Sequence, residues 1–522
     1  FDFVIGNPPY ISYNECSKQE VLVVKSIQEK RVQMSNIYGM NLNTVPGRIK
    51  AYAPKPNLYA FFIALGLALL KDGGRLCYII PQTIMTAGDL DVIRYHLSKF
   101  TTIEKIIVFS GKMFIGRGIK RDKPVATSSL IFVIKRQMPS LAHQVETVYY
   151  KDADDDIEIC LKNILEDKKI SKKKILQSSL LQNLANWNFI KHNKKTSELL
   201  EVYKKCESFD IYRMPYYSEK LFNSIFYFDK GLVFPKNKIK DEPDSSKESF
   251  NLIKAEKDKY KLLLDNRIIE ESNIRLPKGS QGLDVYKKIH KIIWSYANSD
   301  KFYYSDKKIM INFNWVLISS DNKQEIIYIL SLLNSKISRS VFNALLKSEN
   351  EKDVLIGIKT IKEFVRVPKI TEDNQFIKDE IIKRTEEMLA LEEVKLTDLV
   401  DFSGVMMQKF DDLVVEGGDL VLMKDKKKFL CKIKKDKNLV KQTIADKFND
   451  NKLKLKDKEI ILSDLKEMSV IDFDKQKELK NYIDDLVFAL YFNARIDEIG
   501  LDKAEKIKKK CAENKFYAIM KK

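Results

Sequence analysis

The sequence predicts an α/β fold over its first 136 residues, followed by a mixed α+β segment and a helical C-terminal region. Three observations predict it. Short apolar runs (Phe1–Gly6, Arg75–Ile80, Ile103–Phe109, Ser128–Lys135) read as strands, the first closed by Gly6 and the second stopped by Pro81. Longer apolar stretches between them, from Asn57 to Leu70 and about Asp89 to Lys99, read as helices. Leu70-Lys71-Asp72-Gly73-Gly74-Arg75-Leu76 then ends a helix on glycine and opens a strand at once. Helix, glycine cap and strand recur in this order in doubly wound domains.

The first element carries the chemistry. Phe1-Asp2-Phe3-Val4-Ile5-Gly6 reads as a short buried strand, and Asn7-Pro8-Pro9-Tyr10 follows it directly. A polar loop at the end of such a strand lies at the carboxyl edge of the sheet, where open α/β sheets bind ligands. The Asn7 side-chain carbonyl and the Pro8 main-chain carbonyl can each accept one N–H of an exocyclic amine. Proline fixes φ near −65°, which holds these acceptors in place. Tyr10 offers an aromatic face, and stacking on a base is worth roughly 1–3 kcal/mol. None of the four titrates near neutrality, so the loop grips an –NH2 and does not move its proton. Asn and Pro also form turns, so a plain strand-terminating turn accounts for the same residues.

Composition narrows the partners. The chain has 522 residues, enough for two to four domains, with 44% hydrophobic and 32% charged residues. This excludes a disordered chain. A net charge of +19 suits a polyanion, whose neutralised phosphates release counterions; a lysine-rich composition accounts for it too. Six scattered cysteines without a C-x-x-C pair argue against a zinc site or a disulfide framework, and no metal site is expected. No apolar run reaches the length of a membrane span. Residue 1 is Phe and stands inside a strand, so the sequence is expected to be a fragment, with nothing readable about N-terminal targeting.

Asn-Pro-Pro-Tyr after a Phe-Asp-x-Val-Ile-Gly strand resembles the catalytic motif of amino-group methyltransferases that use S-adenosylmethionine. Together with Asn57-Leu58-Tyr59, Lys71-Asp72-Gly73-Gly74-Arg75-Leu76 and Ile80-Pro81, it most resembles the gamma-class N6-adenine DNA methyltransferases of type II restriction–modification systems. The resemblance implies that residues 1–136 are the C-terminal half of a Rossmann-like methyltransferase sheet. Its catalytic residues would be Asn7, Pro8, Pro9 and Tyr10. Tyr10 and Phe114 would stack on the flipped target base, and Asn7 and Phe62 would touch the cofactor. Phe62 reads equally as a core residue, and Ile115 stands where the family usually has Pro after the second aromatic. In the family the Gly-rich cofactor turn precedes the catalytic motif. Here the motif comes first, so that half is expected to be missing.

Beyond residue 136 the expected order is a connector at 137–186, a target-recognition domain at 187–370, and a helical region at 371–522 with a β-hairpin insertion. Lys291-Ile292-Ile293-Trp294, Phe302-Tyr303-Tyr304 and Phe313-Asn314-Trp315 interleave basic and aromatic residues, which suits DNA contacts and core strands alike. Tyr328–Lys336 resembles a recurrent helix of the family's recognition domains, and Ile361–Pro368 the strand that closes them. Leu413–Ile433 reads as a hairpin turning at Lys424–Lys428.

The implied function is methyl transfer from S-adenosylmethionine to adenine N6 in double-stranded DNA, in a prokaryotic cytoplasm. The implied partners are DNA and either a missing N-terminal half or a cognate restriction endonuclease. A fused type IIG endonuclease–methyltransferase is the alternative, and Mg2+ would be needed only if a nuclease domain lies upstream. Methylation of a protein glutamine uses related chemistry but needs no long basic region after the sheet, and an RNA methyltransferase shares the charge argument but not the Tyr328–Lys336 type of helix.

Overall fold

The computed structural model describes residues 1–10, 58–87, 90–110, 128–346, 354–448 and 460–519, with short breaks at 153–154, 156, 185, 214–216, 219–220, 223–224, 235–237, 242–246, 256–258, 277–279, 281 and 297–300. These residues form two compact units: Phe1–Glu198 with Phe342–Val354, and Leu199–Val341 with Leu355–Lys522.

The first unit is built on a six-stranded mixed sheet. Its strands are β1 (Phe3–Gly6), β2 (Arg75–Pro81), β3 (Thr102–Phe109), β4 (Ser129–Lys135), β5 (Gln144–Tyr150) and β6 (Ile170–Leu176), in the spatial order β1-β2-β4-β3-β5-β6. β1 runs parallel to β2, and β3 parallel to β5, while β4 is antiparallel to both β2 and β3. Helices α1 (Leu58–Leu69), α2 (Asp91–Phe100), α3 (Ile157–Leu165) and α4 (Gln177–Gln182) accompany it. Gly73, at φ +79°, makes the left-handed turn that lets β2 begin just after α1 ends. The main core joins α1, α2 and the inner strands through Ile63, Leu67, Leu76, Ile80, Ile93, Leu97, Ile106 and Phe132.

Two expectations change here. Among the described residues β1 pairs with β2 alone, and Phe3 and Ile5 are largely exposed where a buried strand is expected, while Val4 packs on the core. The stretch 137–186, expected as a connector, supplies β5, β6 and α4. Val145, Val148 and Tyr150 are buried along β5, whereas Lys172 and Lys174 project from the outer edge of β6. Lysines on an edge strand discourage pairing with another chain, and they also disguise the strand as a polar loop. Gln177 locks this addition in place. Its Oε1 accepts the Ile103 N–H at 2.9 Å, and its Nε2 donates to the carbonyls of Ser98 (2.9 Å) and Thr101 (2.6 Å). Trp187 is fully buried in the same core and donates to the Leu180 carbonyl, so this unit continues past residue 187.

The second unit holds a four-stranded antiparallel sheet of Tyr227–Lys230, Trp315–Ser320, His290–Ser295 and Tyr303–Ser305, in that spatial order. A three-stranded sheet, Ile239–Lys240, Leu263–Glu270 and Ser249–Lys254, shares its core through Phe250, Ile269, Ile293 and Leu317. The helix expected over Tyr328–Lys336 is found up to Asn334 as the end of α5 (Lys323–Asn334), which the Asn322 side chain caps, and Lys336 already begins the next helix, Lys336–Leu346. The strand expected over Ile361–Pro368 is instead a helix, Ile358–Phe364, followed by the two-residue strand Arg366–Val367 paired with Glu207–Ser208.

Helices α6 (Gln375–Ala390) and α7 (Phe473–Phe492) pack on each other, with Tyr482 donating to Glu380. Between them, residues 396–448 and 460–470 fold around a core of their own that includes Phe410, Leu420, Leu422, Cys431 and Val440. The expected hairpin in this insertion has a third strand. Asp412–Glu416, Asp419–Lys424 and Lys427–Lys432 form a meander, with left-handed backbone at Gly417-Gly418 and at Asp425-Lys426. The first turn uses glycine in that conformation, and the second uses Asp and Lys, which the sequence does not advertise. Among the described residues no helix is long and apolar enough to cross a membrane.

Candidate active site at the sheet edge

β1 delivers Asn7-Pro8-Pro9-Tyr10 to the carboxyl edge of the sheet. Gly6 pairs with Tyr78 of β2, and a Cβ at Gly6 would stand 3.0 Å from the Tyr78 ring. The loop therefore leaves the sheet directly beside a rigid aromatic wall. Pro8 is buried, Asn7 is exposed, and Pro9 and Tyr10 are half-buried. Tyr10 donates its hydroxyl to Ser129 Oγ at 3.2 Å, across to the first residue of β4. Burial pushes the Tyr10 phenol up to about 12, so it stays protonated, and a donor, at neutral pH.

Gln82, the residue after β2, organises the same edge. Its main-chain N–H donates to the Ser128 carbonyl at 2.8 Å. Its Nε2 donates to the carbonyls of Phe109 (2.5 Å) and Ser129 (2.9 Å). Next to it, Thr83 Oγ1 shares a 3.0 Å hydrogen bond with the Tyr59 hydroxyl of α1. Phe62, also on α1, is half-buried against the main core. Phe114, and Gly111, Gly116 and Gly118 around it, lie outside the described residues.

Of the residues singled out from the sequence, Asn7, Pro8, Pro9 and Tyr10 thus share one loop with Ser129 as its anchor. Ser129 and Gln82 were not legible as site residues. Gln82 follows a strand-ending proline, and nothing in the string shows that its amide turns inward. Among the described residues no group of His, Cys, Asp or Glu could hold a metal ion. The groups present suit alkyl transfer to an amine: the carboxamide oxygen of Asn7, the main-chain carbonyl of Pro8 and the protonated phenol of Tyr10. An exposed carboxamide beside an aromatic-walled edge also fits a nucleoside cofactor.

The six-stranded mixed sheet thus carries the Asn7–Tyr10 loop at its carboxyl edge. Residues 1–114 match the model of the Eco57I restriction-modification methylase family. The chain is similar to the type II methyltransferase M.TthHB8I of Thermus thermophilus, with 30% identity over 119 residues, 23% of this chain and 24% of that one. It is also similar to the type II methyltransferase M.HincII of Haemophilus influenzae, with 27% identity over 117 residues, 22% of this chain and 20% of that one. The chain thus spans a quarter or less of the length of these relatives. The solved structure of the type IIL restriction-modification enzyme MmeI in complex with DNA aligns with 99% of this chain and 57% of its own, at 9% identity and a TM-score of 0.46. Likeness at that level carries no weight for function.

Proposed function

We propose that this chain carries the catalytic loop and the DNA-reading region of a site-specific DNA methyltransferase that methylates adenine N6 with S-adenosylmethionine. The observation that carries the reading is the Asn7–Tyr10 loop at the carboxyl end of β1, latched to β4 through Tyr10 and Ser129. Asn7 and the Pro8 carbonyl accept the two N–H bonds of the amine. This returns electron density to nitrogen and stabilises the charge that develops on it. Bound S-adenosylmethionine supplies a methyl group activated by its sulfonium. Phe62 would pack on its adenine ring, and Asn7 would touch both the cofactor and the target amine.

A duplex base reaches this loop only by flipping out, at a cost of a few kcal/mol, which stacking on Tyr10 and Phe114 offsets. The net charge of +19 supports binding to the DNA backbone. Residues between 187 and 370 read the neighbouring bases, the protein works in the prokaryotic cytoplasm, and Mg2+ enters only with an attached nuclease.

The test is Asn7→Ala in the intact protein. Methylation of adenine N6, mapped by sequencing plasmid from expressing cells, is lost, while DNA affinity stays within about threefold because the amide acts on the amine and not on phosphates. Full activity in the variant, or a modified protein glutamine beside unmodified DNA, overturns the reading.

A further inference from the structure

The β3–β4 register ends at Val108↔Leu130. One step further along, Phe109 and Ser129 face the same side chain, because Gln82 Nε2 donates to both of their carbonyls. A side-chain amide thus stands where the next rung of the sheet would be. It holds the ends of β3 and β4 apart and ties both to the end of β2.

The arrangement is costly. Gln82 is 4% exposed, its Oε1 has no hydrogen-bond partner among the described residues, and the neighbouring Ser110 Oγ is likewise buried and unsatisfied. An orphaned buried acceptor is a penalty that the two hydrogen bonds donated by the same amide must offset. Such departures from good packing gather at functional edges. Ser129 is also the residue whose Oγ receives the Tyr10 hydroxyl. The chain of contacts runs from Gln82 through Ser129 to the aromatic ring of the catalytic loop.

We infer that Gln82 is a positioning residue for methyl transfer: its wedge between β3 and β4 sets Ser129 and, through it, the plane of Tyr10. This rests on the methyltransferase reading above. Gln82 touches neither base nor cofactor in this scheme. It governs how well the stacked base is aligned for attack, and a misplacement of about 1 Å in such a geometry can cost on the order of a hundredfold in rate.

The test uses the intact protein with duplex DNA carrying 2-aminopurine at the target position. Gln82→Leu removes both donors and keeps the volume. Its kcat falls by about tenfold or more while KM for DNA stays within about threefold, and the flipped-base fluorescence changes. Gln82→Glu adds a readout that a merely structural staple would not move. An ionised carboxylate offers only acceptors to the Phe109 and Ser129 carbonyls, whereas the protonated acid offers one donor. Activity of the Glu variant relative to wild type therefore rises as pH falls from about 8 to about 6, since burial beside two carbonyls raises a carboxyl pKa.

A wild-type kcat in Gln82→Leu overturns the inference. If that variant fails to fold, a pH-independent ratio for Gln82→Glu overturns it instead. An intact wild-type protein without methyltransferase activity sinks the function proposed above, and this inference with it. Active wild type beside an unaffected Gln82→Leu sinks the inference alone.

Discussion

Gly66 of α1 faces Tyr78 of β2 so closely that a Cβ at position 66 would lie 2.6 Å from the Tyr78 hydroxyl oxygen and 2.5 Å from Leu76 Cδ1. The helix comes down onto the sheet at this point because residue 66 has no side chain. Tyr78 fills the space and presents the edge of its ring to Gly6, where the Asn7–Tyr10 loop departs.

Gly66→Ala separates two opposing effects. Alanine favours a helix interior by about 1 kcal/mol over glycine, while overpacking a tight core costs about 1–3 kcal/mol. Both Leu76 and Tyr78 are buried, so the clash dominates and the variant is less stable. Adding Tyr78→Phe removes the atom at 2.6 Å and recovers part of the loss. Denaturant unfolding of the two single variants and the double variant gives the coupling, and simple additivity would show that the two residues do not compete for this space.

A second prediction concerns a lysine. Lys291, in the strand His290–Ser295, is fully buried and donates to the carbonyls of Lys288, Ile289 and Lys307. Burial lowers its pKa from 10.5 to about 8, with Asp306 and Asp321 opposing the shift. In the window between these values the unfolded chain binds more protons than the folded one, so the Lys291 contribution to stability increases as pH rises. Below about pH 8 the folded protein carries the full cost of the buried charge. The stability of Lys291→Met relative to wild type is therefore greatest near neutrality and declines across that window. Thermal unfolding of both proteins from neutral to alkaline pH tests this, and a difference that is flat with pH would contradict it.

The sheet was legible where period and punctuation agreed. β2, β3 and β4 are apolar runs bounded by Gly, Pro or charge, and α1 ends on the glycine turn at Gly73. β6 was hidden because Ile-Ser-Lys-Lys-Lys-Ile-Leu buries little on an edge, and only its pairing with β5 makes it a strand. Likewise Arg366-Val367 is the only paired part of a run that looked wholly extended, since α-helix claims the residues before it. At the site, Asn7-Pro8-Pro9-Tyr10 was readable because its residue types state their chemistry. Gln82 and Ser129 were not, since their roles come from carbonyls distant in sequence that converge only when β2, β3 and β4 assemble.

The last prediction is where a specificity exchange can be cut. If the region after the methylase sheet reads the target sequence, replacing it should change the methylated site and leave the product, N6-methyladenine, unchanged, because one pocket holds the flipped base and another surface must read its neighbours. Junctions at 187 and 370 would fail for a structural reason. Trp187 is fully buried in the core of the first unit, and Asn186, Asn188 and His192 bond to the carbonyls of Leu345 and Ala344, which belong to that unit too. Removing 187–370 therefore takes Trp187 out of that core and leaves the Asn186 amide and the Leu180 carbonyl without these partners, each at a cost of about 1–3 kcal/mol. Exchanging 199–341 instead keeps these contacts, provided the graft preserves the register of the helix Lys336–Leu346 that crosses its end. The expected result is an unfolded 187–370 chimera and a folded 199–341 chimera that methylates adenine at the donor's site. Long-read mapping of modified bases in plasmid, together with thermal unfolding of both chimeras, decides it. A folded 199–341 chimera that keeps the original site would move recognition to another part of the chain.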